Sequence, residues 1–294
     1  MSGRIREVQI STLDLTPALA EIWIAAKVDV ATQAAELRGR LMGPHCLYSS
    51  TVEIAYPIRT AAPTQDPTDF LQAHVTIPEP NLWDVQSPFL YSGPVELWQN
   101  GQRFDTATVR WGLREASGGP KGLTWNGRPF RLHGLRTGSV TENQLRALRQ
   151  AGTNTLLVPV AEEAEPLWEA ADRIGMMVLG EMAAEADSVL DAVMRLRTHP
   201  SHLGWLVRPG GLLPKRLNEL VSLLYAGCVN DRQVLGLALE EAPREWLDNR
   251  ARFVVCPPSL LPHLHRVNVP RVVWGMGEPA DAPPEVIGFI AEAV

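Results

Sequence analysis

Four acidic residues fall where an apolar run gives way to turn residues: Glu181 beyond 176–179, Glu240 and its neighbour Glu241 beyond 234–239, and Glu278 beyond 271–274. Carboxyl groups brought together by a fold do acid–base work. Each raises the proton affinity of the other, leaving one poised as an acid and one as a base or nucleophile. Glu240-Glu241, followed by Pro243 and Arg244, also has the composition of a helix start, where acids suit the positive end of the dipole. Other reactive residue types are poorly arranged. His263 and His265 are two apart and on a helix would point to different faces, so no metal site is expected there. His199 and His202 could share a helix face, but a structural role is the simpler expectation for both. Pro209-Gly210-Gly211 lacks the lysine and flanking pattern of a phosphate-cradling loop, and no Gly-x-Ser-x-Gly elbow occurs. Neither a metal nor a cofactor is expected.

The bulk composition narrows the partners. With 294 residues, 45% apolar and 20% charged, the chain has material for two globular domains. A net charge of −6 and the lack of a basic stripe argue against nucleic acid or an anionic membrane, which need clustered Lys and Arg. No apolar stretch reaches the roughly 20 residues of a membrane span. Residues 1–8 carry three charges and no apolar run, so no signal peptide is expected on this chain. Cys46, Cys228 and Cys256 are odd in number and widely spaced, which predicts three core thiols in a reducing, cytoplasmic setting.

The elements that must position the acids follow from periodicity. Up to about residue 115 the pattern is that of short strands separated by turns. In 21–30, Ile22, Ile24, Ala26, Val28 and Val30 recur with a period of two, and 51–58, 73–77, 95–98 and 103–109 continue in that style. Asn100-Gly101 marks a hairpin between the last two. The segment 31–41 has helix-forming composition but a place in or beside a strand, and 63–69 is a polar connection. These features predict an antiparallel sandwich over 1–117.

Beyond Gly118-Gly119-Pro120 the pattern changes. Apolar runs at 130–135, 155–160, 176–179, 203–207, 234–239, 253–256 and 271–274 alternate with helical stretches at 141–151, 162–174, 188–197, 215–225, 260–266 and 284–294. Alternation of this kind predicts a parallel sheet, and its spacing suits a (β/α) barrel over 118–294 with seven recognisable strands, one short of eight.

Four segments in order resemble glycoside hydrolase family 2, the family of β-galactosidases, β-glucuronidases and β-mannosidases. Asn81-Leu82-Trp83-Asp84 with Ser87-Pro88-Phe89-Leu90-Tyr91 is similar to "P-x-L-W-s-p-e-x-P-x-L-Y". Val109-Arg110-Trp111-Gly112-Leu113-Arg114 resembles the "F-G-F-R" strand, and 123–134 resembles "f-x-l-N-G-k-p-v-x-l-k-G". Residues 167–181 resemble "f-y-x-l-c-D-e-x-G-l-x-v-x-x-E". The matches span roughly 80–205. The resemblance implies an immunoglobulin-like sandwich followed by a (β/α)8-type TIM barrel with its site at the carboxyl ends of the strands.

It also implies where catalysis should lie. Retaining glycosidases need two carboxyl groups about 5 Å apart. The family's "H-P-S-x-x-x-W-S-x-G-N-E" is matched through Trp205, but Pro209 and Gly210 then replace the Asn and the acid/base Glu. The nucleophile position of "k-P-x-x-x-s-E-y-G" falls on Gly275. In "N-x-x-R-x-s-H-y-P" the Asn is kept as Asn154, while Leu157 replaces the Arg and Val160 the His; of "N-R-H-E" only Arg136 survives. The expectation is a protein without turnover at Gly210 and Gly275 that binds a carbohydrate or protein at the barrel mouth. Arg136, Asn154, Trp205 and Trp274 are the candidate ligand contacts. The alternatives are an active hydrolase that has relocated its carboxylates to Glu181, Glu240 and Glu278, and a structural module of a larger assembly.

Overall fold

The computed structural model describes residues 3–30, 35–61, 70–160, 165–183, 190–210, 214–241, 250–264, 267–275, 277 and 281–292. The chain divides into two compact units, Met1–Leu113 and Arg114–Val294.

The first unit is two four-stranded antiparallel sheets. Its strands are β1 (Ile5–Leu15), β2 (Leu19–Val28), β3 (Ala35–His45), β4 (Ile54–Pro57), β5 (Arg59–Thr60), β6 (Phe70–Pro78), β7 (Leu90–Gln99) and β8 (Gln102–Trp111). They pair in the orders β1-β2-β6-β5 and β4-β3-β7-β8. The period-two pattern sets one face of each sheet inward. Ile22, Ile24, Val75 and Ile77 of one sheet share a core with Leu37, Leu41, Val95 and Leu97 of the other, each such side chain contributing about 1.5–3 kcal/mol of burial. Asn100 and Gly101 both have positive φ (52° and 77°), the two-residue turn whose twist matches the strands it joins. The segment 31–41 enters β3 at Ala35; 31–34 and the connection at 63–69 lie outside the described residues. Trp83 is buried, and Tyr91 reaches the Asn81 backbone, accepting from its N–H (3.0 Å) and donating to its carbonyl (3.3 Å). Both rings hold the sandwich together. Cys46 is only half-buried, unlike the core thiols Cys228 and Cys256, because it starts the turn after β3.

The second unit begins with a small sheet that the periodicity did not reveal: β9 (Ala116–Gly119), β10 (Gly122–Trp125) and β11 (Arg128–Phe130). Asn126-Gly127 turns β10 into β11 rather than leading straight into the barrel. There follow β12 (Leu132–Arg136), β13 (Thr155–Pro159), β14 (Met177–Ala183), β15 (His202–Arg208), β16 (Val234–Ala238), β17 (Phe253–Cys256), β18 (Arg271–Trp274) and β19 (Val286–Glu292). These eight strands form a closed parallel barrel. Helices α1 (Glu142–Gln150), α2 (Glu165–Ile174), α3 (Leu190–Leu196) and α4 (Pro214–Asp231) follow the first four strands, and a 3-10 helix, Pro258–His263, follows β17. Thr141 caps α1: its hydroxyl accepts from the Gln144 N–H, and the Gln144 carbonyl oxygen accepts from the Thr141 N–H.

The seven-strand expectation is corrected to eight. The stretch 284–294, expected as a helix, contains β19, because without it β12 and β18 would each leave a row of backbone groups unpaired. Its Val-Ile-Gly-Phe-Ile core suits a buried strand. Gly288 passes so close to β12 that a Cβ there would stand 1.9 Å from the Leu132 carbonyl oxygen.

Strand alternation sorts the side chains. Leu156, Val158, Val178, Met182, Trp205, Val207, Leu235 and Leu237 pack with Trp168, Leu145 and Val193 of the helices. Leu157, Glu181, Leu206 and Arg208 take the opposite phase and so face the barrel axis. Replacing the fully buried Ile290 of β19 with Ala is expected to cost about 2–5 kcal/mol, read from the denaturation midpoint. A loss within about 0.5 kcal/mol, the range of surface substitutions, would contradict the closing role of β19.

Candidate ligand-binding mouth of the barrel

Parallel closure brings all eight carboxyl ends to one rim. Arg136, Arg208, Trp274 and Glu292 are the last residues of β12, β15, β18 and β19; Glu181 stands near the end of β14, and Glu240 two residues past β16. Glu181 is the centre of this group. Its side chain is only 4% exposed, and both carboxylate oxygens are engaged. Arg136 Nε donates to Oε2 at 2.8 Å, and Arg208 Nε donates to Oε1. A buried carboxylate needs such partners, because its desolvation would otherwise cost several kcal/mol. The two guanidiniums remain accessible, 37% exposed for Arg136 and 29% for Arg208.

The outer contacts are looser. Arg136 Nη1 lies 3.9 Å from Glu292, and Arg208 Nη1 lies 3.8 Å from Glu240, with those carboxylates 70% and 80% exposed. Exposed pairs at such distances contribute little. Arg208 also lies over the Trp274 ring, with Cζ 4.9 Å from its centroid, a cation–π arrangement. Since β16 and β17 separate β15 from β18, this side chain extends over the mouth instead of lying along its own rim.

Four of the expected site residues therefore come to this rim: the carboxylates Glu181 and Glu240 and the ligand contacts Arg136 and Trp274. Two do not. Asn154 lies at the amino end of β13, where its side-chain oxygen accepts from His133 N–H (3.0 Å) and its amide donates to the Arg131 carbonyl (2.7 Å). It fastens β12 to β13 at the end of the barrel opposite the mouth. Trp205 points outward to the helices, its ring 4.2 Å from His202 and 6.3 Å from Trp168 by centroids. It is buried and has no face for a ligand. Glu278, like His265, lies outside the described residues. Gly210 and Gly275 follow β15 and β18; among the described residues a Cβ at Gly210 would meet no atom within 4 Å, and one at Gly275 only the Gly277 carbonyl oxygen at 3.9 Å. Leu157 is buried and Val160 packs toward the helices. Arg208 was not among the expected contacts. The signal for it was a charge ending an otherwise apolar barrel strand, at the position where "W-S-x-G-N-E" has Gly. Among the described residues no His, Cys, Asp and Glu group is arranged for a metal.

The opposite end of β15 holds a buried polar network. Asp172 accepts from Ser201 N–H at 2.9 Å and pairs with His199 Nδ1 at 2.7 Å. Arg114 donates to the carbonyls of Pro200, His199, Asp231 and Arg232. Thus His199-Pro200-Ser201 is structural. Burial, aided by the Arg114 charge, pushes His202 well below the ordinary histidine range, and its Nε2 donates to the Gly204 carbonyl. Burial also opposes charge on His199, but the Asp172 carboxylate outweighs it and raises that pKa.

The chain thus combines a two-sheet sandwich with a closed eight-stranded parallel barrel. Residues 8–114, the stretch of the sandwich, match the glycosyl hydrolases family 2. The β-galactosidase BoGH2A of Bacteroides ovatus is 26% identical over 166 residues, 45% of this chain and 19% of that protein. The structure of a Bacteroides uniformis β-glucuronidase is similar over 99% of this chain and 46% of its own, with TM-score 0.71 and 16% identity. A Bifidobacterium dentium β-glucuronidase, solved with coumarin-3-O-glucuronide, covers 99% of this chain and 60% of its own, with TM-score 0.71 and 14% identity. The two structural likenesses are of fold, and the chain spans 19%, 46% and 60% of these three proteins.

Two outcomes are expected. Glu181→Gln, which leaves two guanidiniums facing a neutral amide, should cost about 3 kcal/mol, the low end for breaking a buried pair because both arginines are partly solvated. A denaturation midpoint equal to that of the parent would contradict the buried role of Glu181. The second outcome concerns pH. His202 is neutral when folded but takes a proton when unfolded, so its contribution is lost as pH falls through about 6.5. His199 has a raised pKa, so its contribution is present below about 6.5 and lost as pH rises through the folded value. His199→Asn should therefore steepen the loss of stability between about pH 7.5 and about pH 5.5. Parallel stability curves would contradict it.

Proposed function

We propose that this chain has given up the glycosidase turnover of its family and uses the barrel mouth to bind a carbohydrate or protein ligand. In this reading the molecule is an immunoglobulin-like sandwich with a (β/α)8-type barrel. One observation carries it. Both positions where the family's motifs put carboxylates are glycines, Gly210 and Gly275, and the buried carboxylate near them, Glu181, has both oxygens taken by arginine. Glycosidic cleavage by the two-carboxylate route needs one group free to protonate the leaving oxygen and another free to attack or to activate water. Glu181 offers neither oxygen, and Glu240 is an exposed rim residue held 3.8 Å from Arg208. Arg136 and Trp274 remain available at the mouth as polar and aromatic contacts.

The purified chain incubated with a panel of nitrophenyl β-galactoside, β-glucuronide and β-mannoside should release nitrophenol at the buffer rate. Release well above that rate, abolished by Glu181→Gln or Glu240→Gln, would establish the competing reading of an active hydrolase with relocated carboxylates.

A further inference from the structure

Arg208 changes what the mouth can hold. It stands where the family motif has Gly, so its contribution to the mouth is not part of the inherited pattern, whereas Arg136 and Glu181 match motif positions. Each guanidinium carries five N–H donors. The described contacts use Nε of Arg136 and Nε of Arg208 in hydrogen bonds to Glu181, while their terminal nitrogens approach only rim carboxylates at 3.8–3.9 Å. Two fixed positive charges thus converge on one buried negative charge. The compensating acids, Glu240 and Glu292, are solvated and beyond hydrogen-bond reach. Beneath Arg208 lies the Trp274 ring, a flat apolar face beside the unspent donors.

We propose that Arg208 makes the barrel mouth a receptor for ligands presenting a carboxylate, bound by the terminal nitrogens of Arg208 and Arg136 beside Trp274. A planar carboxylate matches the guanidinium fork and forms charge-assisted bonds about twice as strong as neutral ones. It would take over the terminal nitrogens from Glu240 and Glu292, whose exposed pairs are weak. A neutral sugar offers hydroxyls, which cannot displace those acids at comparable gain. The inference rests on the binding reading above, and it concerns affinity alone.

The test is calorimetric titration of the full chain with galacturonate, galactose and succinate at low salt. Galacturonate should bind at least tenfold more tightly than galactose, and the preference should shrink on adding salt. Arg208→Gln, which keeps most of the side chain, and Arg208→Ala should both lose the preference, and Arg208→Lys should keep part of it. Succinate binding like galacturonate would assign recognition to the carboxylate alone; weaker binding would give the sugar ring a share, and either supports the site. Equal affinity for galactose, a preference surviving Arg208→Gln, or no binding of any of the three would overturn it. Failure of the binding reading itself would show instead as nitrophenol release in the glycoside panel.

Discussion

Closure of the barrel is the constraint on which the rest of the second unit depends. Eight parallel strands must meet edge to edge, so the first, β12, pairs with the last, β19, in the register Leu132–Gly288 to Arg136–Glu292. That pairing brings two sequence-distant strand ends to the same rim and sets Arg136 beside Glu292. It also fixes the phase of every strand: one set of side chains meets the helices, and the alternate set faces the axis. Once closed, the barrel admits polar groups near its axis only where they satisfy one another.

The mouth meets that condition with three residues. Glu181 on β14 lies between Arg136 two strands away and Arg208 on the adjacent β15, and neither arginine alone engages both of its oxygens. Removing one partner of such a cluster exposes the cost of a buried charge, whereas the intact cluster roughly balances desolvation against attraction. The opposite end solves the same problem differently: Arg114 gathers backbone carbonyls, and the Asp172–His199 pair receives the turn into β15. The amino end is thereby tied by backbone carbonyls and the Asp172 carboxylate, while the carboxyl end keeps guanidinium donors facing solvent. In the proposed reading, that asymmetry gives the mouth its binding chemistry.

Much of this was legible in the sequence because the signals were local. Thr141 capped a helix as its type and spacing required, Asn100-Gly101 formed the turn its φ freedom allows, and β-branched runs became buried strands. The failures were of another kind. The residues Ala291 and Glu292 favour helix, and only pairing with both β12 and β18 makes their segment a strand. Asn154 was misplaced because a motif does not say whether its polar residue precedes or follows a strand. Trp205 was misplaced because its phase, shared with Val207, emerges only when the helix-packed set is known. Arg208 carries no motif signal, because the family pattern has Gly there and only the closed barrel brings its side chain to Glu181.

The central claim of the proposal is that this mouth carries no working pair of catalytic carboxylates, Glu181 being held through both oxygens by arginine. The most direct measurement is the intact mass of the full chain after incubation with 2-deoxy-2-fluoro glycosides of galactose, glucuronic acid and mannose, which trap a glycosyl-enzyme wherever a nucleophilic carboxylate operates. An unchanged mass with all three is the predicted result. A mass increase of one fluoroglycosyl group, mapped to Glu181, Glu240 or Glu278, would contradict it.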